Sequence, residues 1–236
     1  MIKECSHLLV SIPPMAGIGD PLLRNRKLLR EKLGGGRLKW LCYLSSTSVY
    51  GDAGGGLVDE DDELQATSEG SKLRIAGEEG WMDLGESLRI CCGVLRLGGI
   101  YGPGRSAVDT LLNHKAESDS QRTRSSKKYT SRIHVKDVCG ALEAAVGSPI
   151  FRGIYNVVDD DPAPRELVFA FAHNLVRTTR PDLAIHLRPF SLPPNALTEG
   201  KRVSNARIKN QLGLKLIYPS YKTGLLHVLH NYSRTA

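Results

Sequence analysis

The side chains best suited to chemistry lie just after an apolar run. Trp40–Leu44 is apolar throughout, and Ser45, Ser46, Thr47 and Ser48 follow it, with Tyr50-Gly51 closing the segment. Hydroxyls in a row can hold and orient a reacting oxygen, and a phenol can give or take a proton. Fifty residues on, Gly93–Arg105 (GVLRLGGIYGPGR) repeats the arrangement. Its Gly98 and Gly99 let backbone approach a flat ligand, and Tyr101 supplies a second phenol. Arg105 and Arg132 are suited to a bidentate grip on a diphosphate. His134 has an imidazole that titrates near neutrality. Tyr50, Tyr101 and His134 are thus the candidate proton carriers. Each also has a plain structural reading: a tyrosine packing its loop, or a histidine satisfied at a strand end. Asp159, Asp160 and Asp161 are consecutive, so their side chains diverge. No metal site is expected there or among the cysteines, which lack C-x-x-C spacing.

These groups need a scaffold that gathers strand ends. Apolar residues on both faces of Trp40–Leu44 predict a parallel strand with helices on either side. The other predicted strands are His7–Ile12, Ile90–Leu97, Ile133–Val135 and Gly153–Val158. The predicted helices are Pro21–Leu33 capped by Asp20, Ser71–Gly85, one beginning over Ser106–His114, Val138–Gly147 capped by Asp137, Arg165–Thr178 and Ser204–Leu212. Residues 51–68 read as loop. Strands alternating with helices give an α/β fold: a partial Rossmann-like parallel sheet flanked by helices, with a small C-terminal α+β lobe. The division expected is a cofactor-type domain over 1–147 and a smaller lobe with closing elements over 148–236. Ligands of such sheets bind at the carboxyl ends of the strands, where the hydroxyl run falls.

The chain has 236 residues, a net charge of +7 and five cysteines. An odd cysteine count with thiols in apolar segments suggests a reducing compartment, the cytoplasm or a plastid. No apolar run is long enough to span a membrane, and the N-terminus does not read as a signal peptide. Residues 24–39 hold seven basic residues and one acid, and residues 115–136 hold seven and two. Such runs can bind nucleic acid, but the second contains only one aromatic residue, Tyr129, for stacking, which argues against it.

Five segments in order resemble the extended short-chain dehydrogenase/reductase family, the NAD-dependent epimerase/dehydratase type, in an atypical subgroup. They are LCYLSSTSVYGD (Leu41–Asp52), GVLRLGGIYGPGR, SRIHVKDV (Ser131–Val138), GIYNVVDDDPAP (Gly153–Pro164) and KRVSNARIKNQLGLKLIYPSYKTGL (Lys201–Leu225). The resemblance implies NAD or NADP as cofactor and a nucleotide-sugar-like small molecule as substrate, with self-association as a further expectation. It places the cofactor against Ser11, Pro13, Ser45, Ser46, Arg74, Leu97, Gly98 and Gly99. Ser46 matches the catalytic Ser/Thr. The Tyr and Lys of the family's Tyr-x-x-x-Lys pair fall at Gly70 and Arg74, so redox activity is in question. The glycine-rich turn of the family also has no counterpart. The resemblance therefore implies an N-terminally truncated chain that lacks the family's first three strands, with weak dinucleotide binding. The alternative readings are a non-catalytic regulatory or RNA-binding protein of the same fold, and a non-functional truncated form.

Overall fold

The computed structural model describes residues 4–113, 127–187 and 198–232. In chain order the elements are β1 (His7–Val10), α1 (Arg26–Leu33), β2 (Trp40–Ser46), β3 (Leu57–Val58), α2 (Glu69–Ser87), β4 (Cys91–Leu97) and β5 (Gly99–Tyr101). Then come α3 (Ala107–Leu112), β6 (Lys127–Tyr129), β7 (Arg132–His134), α4 (Val135–Gly147), β8 (Gly153–Val157) and α5 (Arg165–Thr179). The last are α6 (Pro181–Ala184), β9 (Thr198–Gly200), β10 (Arg202–Val203), α7 (Ala206–Leu212) and α8 (Tyr221–His230). His114 and residues 115–126 of the second basic stretch lie outside the described residues.

The main sheet has the order β1-β2-β4-β8, and every pair in it is parallel. Alternation along the strands sends side chains to two apolar layers. Leu41, Tyr43 and Val94 meet Leu33, Trp81 and Leu84 of α1 and α2 on one side. Trp40, Cys42, Leu95 and Val157 meet Val138, Ala141, Ala145 and Ile208 of α4 and α7 on the other. Burial on both faces explains why β2 reads as a continuous apolar run rather than an alternating one. β8, beyond the boundary expected at residue 147, is the fourth strand of the sheet, one of the closing elements. The separate apolar cluster is instead helical, with Val108 and Leu111 of α3, Ala172 and Val176 of α5, and Leu225 and Leu229 of α8.

Three local expectations change. The helix predicted over Pro21–Leu33 begins at Arg26, after a 3-10 turn at Leu23–Asn25. Asp20 still accepts from the Leu22 and Leu23 N–H groups, at 2.9 and 3.0 Å, while its other oxygen takes the Trp81 indole N–H at 2.7 Å. Asp137 does not cap α4. That role falls to His134, whose Nδ1 accepts from the Lys136 N–H at 3.1 Å. The Asp137 carboxylate instead receives the N–H groups of Ile217 and Tyr218, at 2.6 and 3.1 Å, tying the C-terminal segment to α4. The predicted loop 51–68 contains β3, which pairs in parallel with β10. No helix among the described residues is long and apolar enough to cross a membrane.

Candidate functional site

A cleft of ≈ 800 Å³ opens at the carboxyl ends of β1, β2 and β4. Its wall begins at Ser11 and Pro13 after β1 and continues through Leu44–Ser48 at the end of β2. Ser68, the N-cap of α2, and Arg74, on its second turn, form one side. Leu97–Ile100, Arg105, Tyr129–Ser131, Lys201 and Val203 complete it.

The structure brings Ser11, Pro13, Ser45, Ser46, Arg74, Leu97, Gly98, Gly99 and Arg105 to this one cleft. Ser46 caps the 3-10 turn Thr47–Tyr50, its Oγ accepting from the Ser48 N–H at 3.2 Å. Ser45 and Ser131 carry hydroxyls that are buried and have no hydrogen-bond partner. The charged side chains among the described lining residues are Arg74, Arg105 and Lys201, with no carboxylate. Unpaired buried hydroxyls are costly unless a ligand or water meets them, and the local charge favours an anion. These residues fit a dinucleotide, which brings ribose hydroxyls and phosphates.

Four other expected site residues are not in the cleft wall. Tyr50 is buried at 1% exposure. Its hydroxyl donates to Asn156 Oδ1 at 2.8 Å and accepts from Arg96 Nη1 at 2.9 Å. Arg96 also donates three hydrogen bonds to Glu78, at 2.7 to 3.2 Å, in a fully buried ion pair. Burial pushes the Tyr50 phenol above its ordinary pKa, and a hydroxyl already bonded on both sides is poorly placed to move a proton. Its part here is to fasten β2, β4, β8 and α2 together beneath the hydroxyl run.

Tyr101, Arg132 and His134 lie on the opposite side of the short β5–β7 ribbon. Register places Tyr101 beside His134 and Gly99 beside Arg132, so these side chains share one face. The Tyr101 and His134 rings meet edge-on at 5.2 Å. Tyr101 Oη abuts Gly224 of α8, and burial holds its pKa far above the ordinary value. His134 is fully buried, and desolvation lowers its pKa from 6.5 to about 4, so it stays neutral. Arg132 donates to Thr130 Oγ1 and to the Ala163 carbonyl, the latter at 2.9 Å, and its guanidinium lies 5.5 Å over the Tyr221 ring. Arg132 therefore cannot share a diphosphate with Arg105. The reason is one of parity: Ser131 reaches the cleft, so its neighbour in the strand points away.

Tyr129 and Lys201 are cleft residues that sequence reasoning passed over. They arrive on β6 and just after β9, which pair in parallel with Tyr129 opposite Gly200. Nothing in three-residue strands some seventy positions apart announces that pairing. Gly70, at the family's tyrosine position, begins α2 with open space around it. Among the described residues no group of acids, cysteines and histidines is placed to hold a metal ion.

No family model matches the chain. It is 28% identical over 228 residues to protein YeeZ of Escherichia coli, covering 92% of this chain and 73% of that one. A solved structure of a functionally unknown conserved protein from Silicibacter pomeroyi DSS superposes with a TM-score of 0.76 at 31% identity, covering 96% of this chain and 78% of the other. The UDP-glucuronic acid 4-epimerase of Bacillus cereus, solved with NAD, superposes with a TM-score of 0.71 at 17% identity, covering 95% of this chain and 72% of the epimerase. That last similarity speaks for fold alone. The chain thus belongs to the family of the Silicibacter protein, on the Rossmann-like fold of the NAD-dependent epimerases and dehydratases.

Proposed function

We propose that the cleft binds NAD or NADP along Ser11, Ser45, Ser46, Arg74 and Gly98-Gly99, and admits a nucleotide-sugar-like substrate at the Arg105 end. The observation that carries this reading is the pair of unpartnered hydroxyls, Ser45 and Ser131, in a wall whose charged side chains are all basic. Arg74 takes the place of the family's ribose-binding lysine and offers a guanidinium to the ribose or phosphate. Gly98 and Gly99 let the ring approach the backbone. Ser46 orients the reacting oxygen of the substrate. A bound nicotinamide would supply a hydride acceptor or donor.

Calorimetric titration with NAD+ and NADP+ tests the reading. The expected result is weak but saturable binding of one of them, in keeping with the missing glycine-rich turn, and a further loss of roughly 10- to 100-fold in Arg74→Ala, as follows when a charge-assisted hydrogen bond is removed. Absence of binding by either dinucleotide, or binding indifferent to Arg74→Ala, overturns it.

A further inference from the structure

The phenols and imidazole expected to move protons are walled off from the cleft, while Tyr129 lines it. It is the one phenol among the described lining residues. Lys201 lines the same cleft and follows Gly200, the register partner of Tyr129. Its ammonium donates to the Gly51 carbonyl at 2.5 Å, which anchors it at the mouth of the β2 turn. Two further cations flank the Tyr129 ring: Arg202 at 5.5 Å and Lys128 at 5.8 Å from its centroid.

From this arrangement we propose that Tyr129 is the acid/base of the cleft and Lys201 the residue that balances its charge. The pair would stand where Gly70 and Arg74 leave the helix α2 without one. This rests on the nicotinamide reading above. In the oxidative direction, Tyr129 would start as the phenolate, and a bound nicotinamide would supply the acceptor for the hydride of a secondary alcohol's C–H. The alcohol's O–H proton passes to the Tyr129 oxygen, and a ketone remains. In the reductive direction, the phenol returns its proton to the carbonyl oxygen as hydride reaches the carbon. The charge left on the phenolate would be balanced by the Lys201 ammonium, which lines the same cleft.

The test compares wild type, Tyr129→Phe, Lys201→Met and Lys201→Arg in three assays. NADP+ binding by calorimetry should be unchanged in Tyr129→Phe and Lys201→Arg and weakened but still saturable in Lys201→Met, which also shows that the variants are folded. Nitration by tetranitromethane, mapped by peptide mass spectrometry, should modify Tyr129 in the free protein, and NADP+ with UDP-glucose should protect it. Reduced-cofactor absorbance over a panel of nucleotide sugars should show turnover by wild type. It should fall about 10²- to 10⁴-fold in Tyr129→Phe, the range for loss of a general acid/base. Lys201→Met should lose activity that Lys201→Arg partly restores. Binding of NADP+ with no turnover, with turnover that survives Tyr129→Phe, or with no protection of Tyr129 overturns this assignment and leaves the cofactor reading intact. Failure to bind either dinucleotide removes both.

Discussion

Replacing Glu78 by glutamine tests whether the buried network under the hydroxyl run is structural. Arg96 and Glu78 have side chains 2% and 4% exposed, joined at 2.7 Å. Burial works against the Arg96 charge, but the Glu78 carboxylate and the Tyr50 hydroxyl outweigh it, and its pKa is raised. Removing only the carboxylate charge leaves a cation in the interior with two neutral partners, a change that typically costs about 3–5 kcal/mol. For a chain of this length, each kcal/mol moves the melting temperature by roughly 2–4 °C. Glu78→Gln should therefore lower it by about 6–20 °C in a thermal melt, with a matching fall in the urea midpoint. Replacing both partners with apolar residues, Arg96→Met with Glu78→Leu, should recover most of the loss, since no uncompensated charge remains. A single variant that loses less than about 1 kcal/mol, or a double variant worse than the single, refutes the account.

Three further outcomes are expected. Asp159 is buried, and burial raises its pKa from 3.8 to about 8 despite the Arg132 cation. A raised carboxyl favours the protonated native state, so its contribution is complete below about pH 4 and is lost as pH rises through about 8. His134, with a lowered pKa, acts only below about 6.5. Between pH 6.5 and 9 wild type should thus lose roughly 2 kcal/mol in urea titrations that Asp159→Asn retains; equal slopes in the two proteins count against it. Gly51 sits at φ 68°, and a Cβ there would lie 2.0 Å from the Gln65 carbonyl oxygen, so Gly51→Ala should destabilise by about 2 kcal/mol or more in the same titrations. β1 pairs on one side only among the described strands, and Leu9 within it and Ile12 and Met15 after it are 43–50% exposed. Light scattering should show self-association that Leu9→Lys reduces; a monomer at all concentrations contradicts this.

The scaffold and one rim of the cleft are legible in local patterns of residues. Trp40–Leu44 is apolar on both faces because helices cover both, and that pattern is local, so it can be read without knowing what covers it. The position of Ser45–Ser48 follows, since strand ends of a parallel sheet face the ligand side. Arg74 was legible for a similar reason, as its place was counted along a single helix. The directions in which the aromatic and basic side chains turn depend on contacts between distant segments. Tyr50 follows the hydroxyl run in sequence, yet it turns inward because Arg96 on β4 and Asn156 on β8 offer its hydroxyl two buried partners. Arg132, Tyr101 and His134 fall on the far face of a two-stranded ribbon whose register no local pattern encodes. Tyr129 and Lys201 both come to line the cleft through the pairing of β6 with β9. Each of those strands is three residues long, too short for a hydrophobic period to mark a face, and the contact between them is set by the surfaces that dock around it rather than by either segment alone.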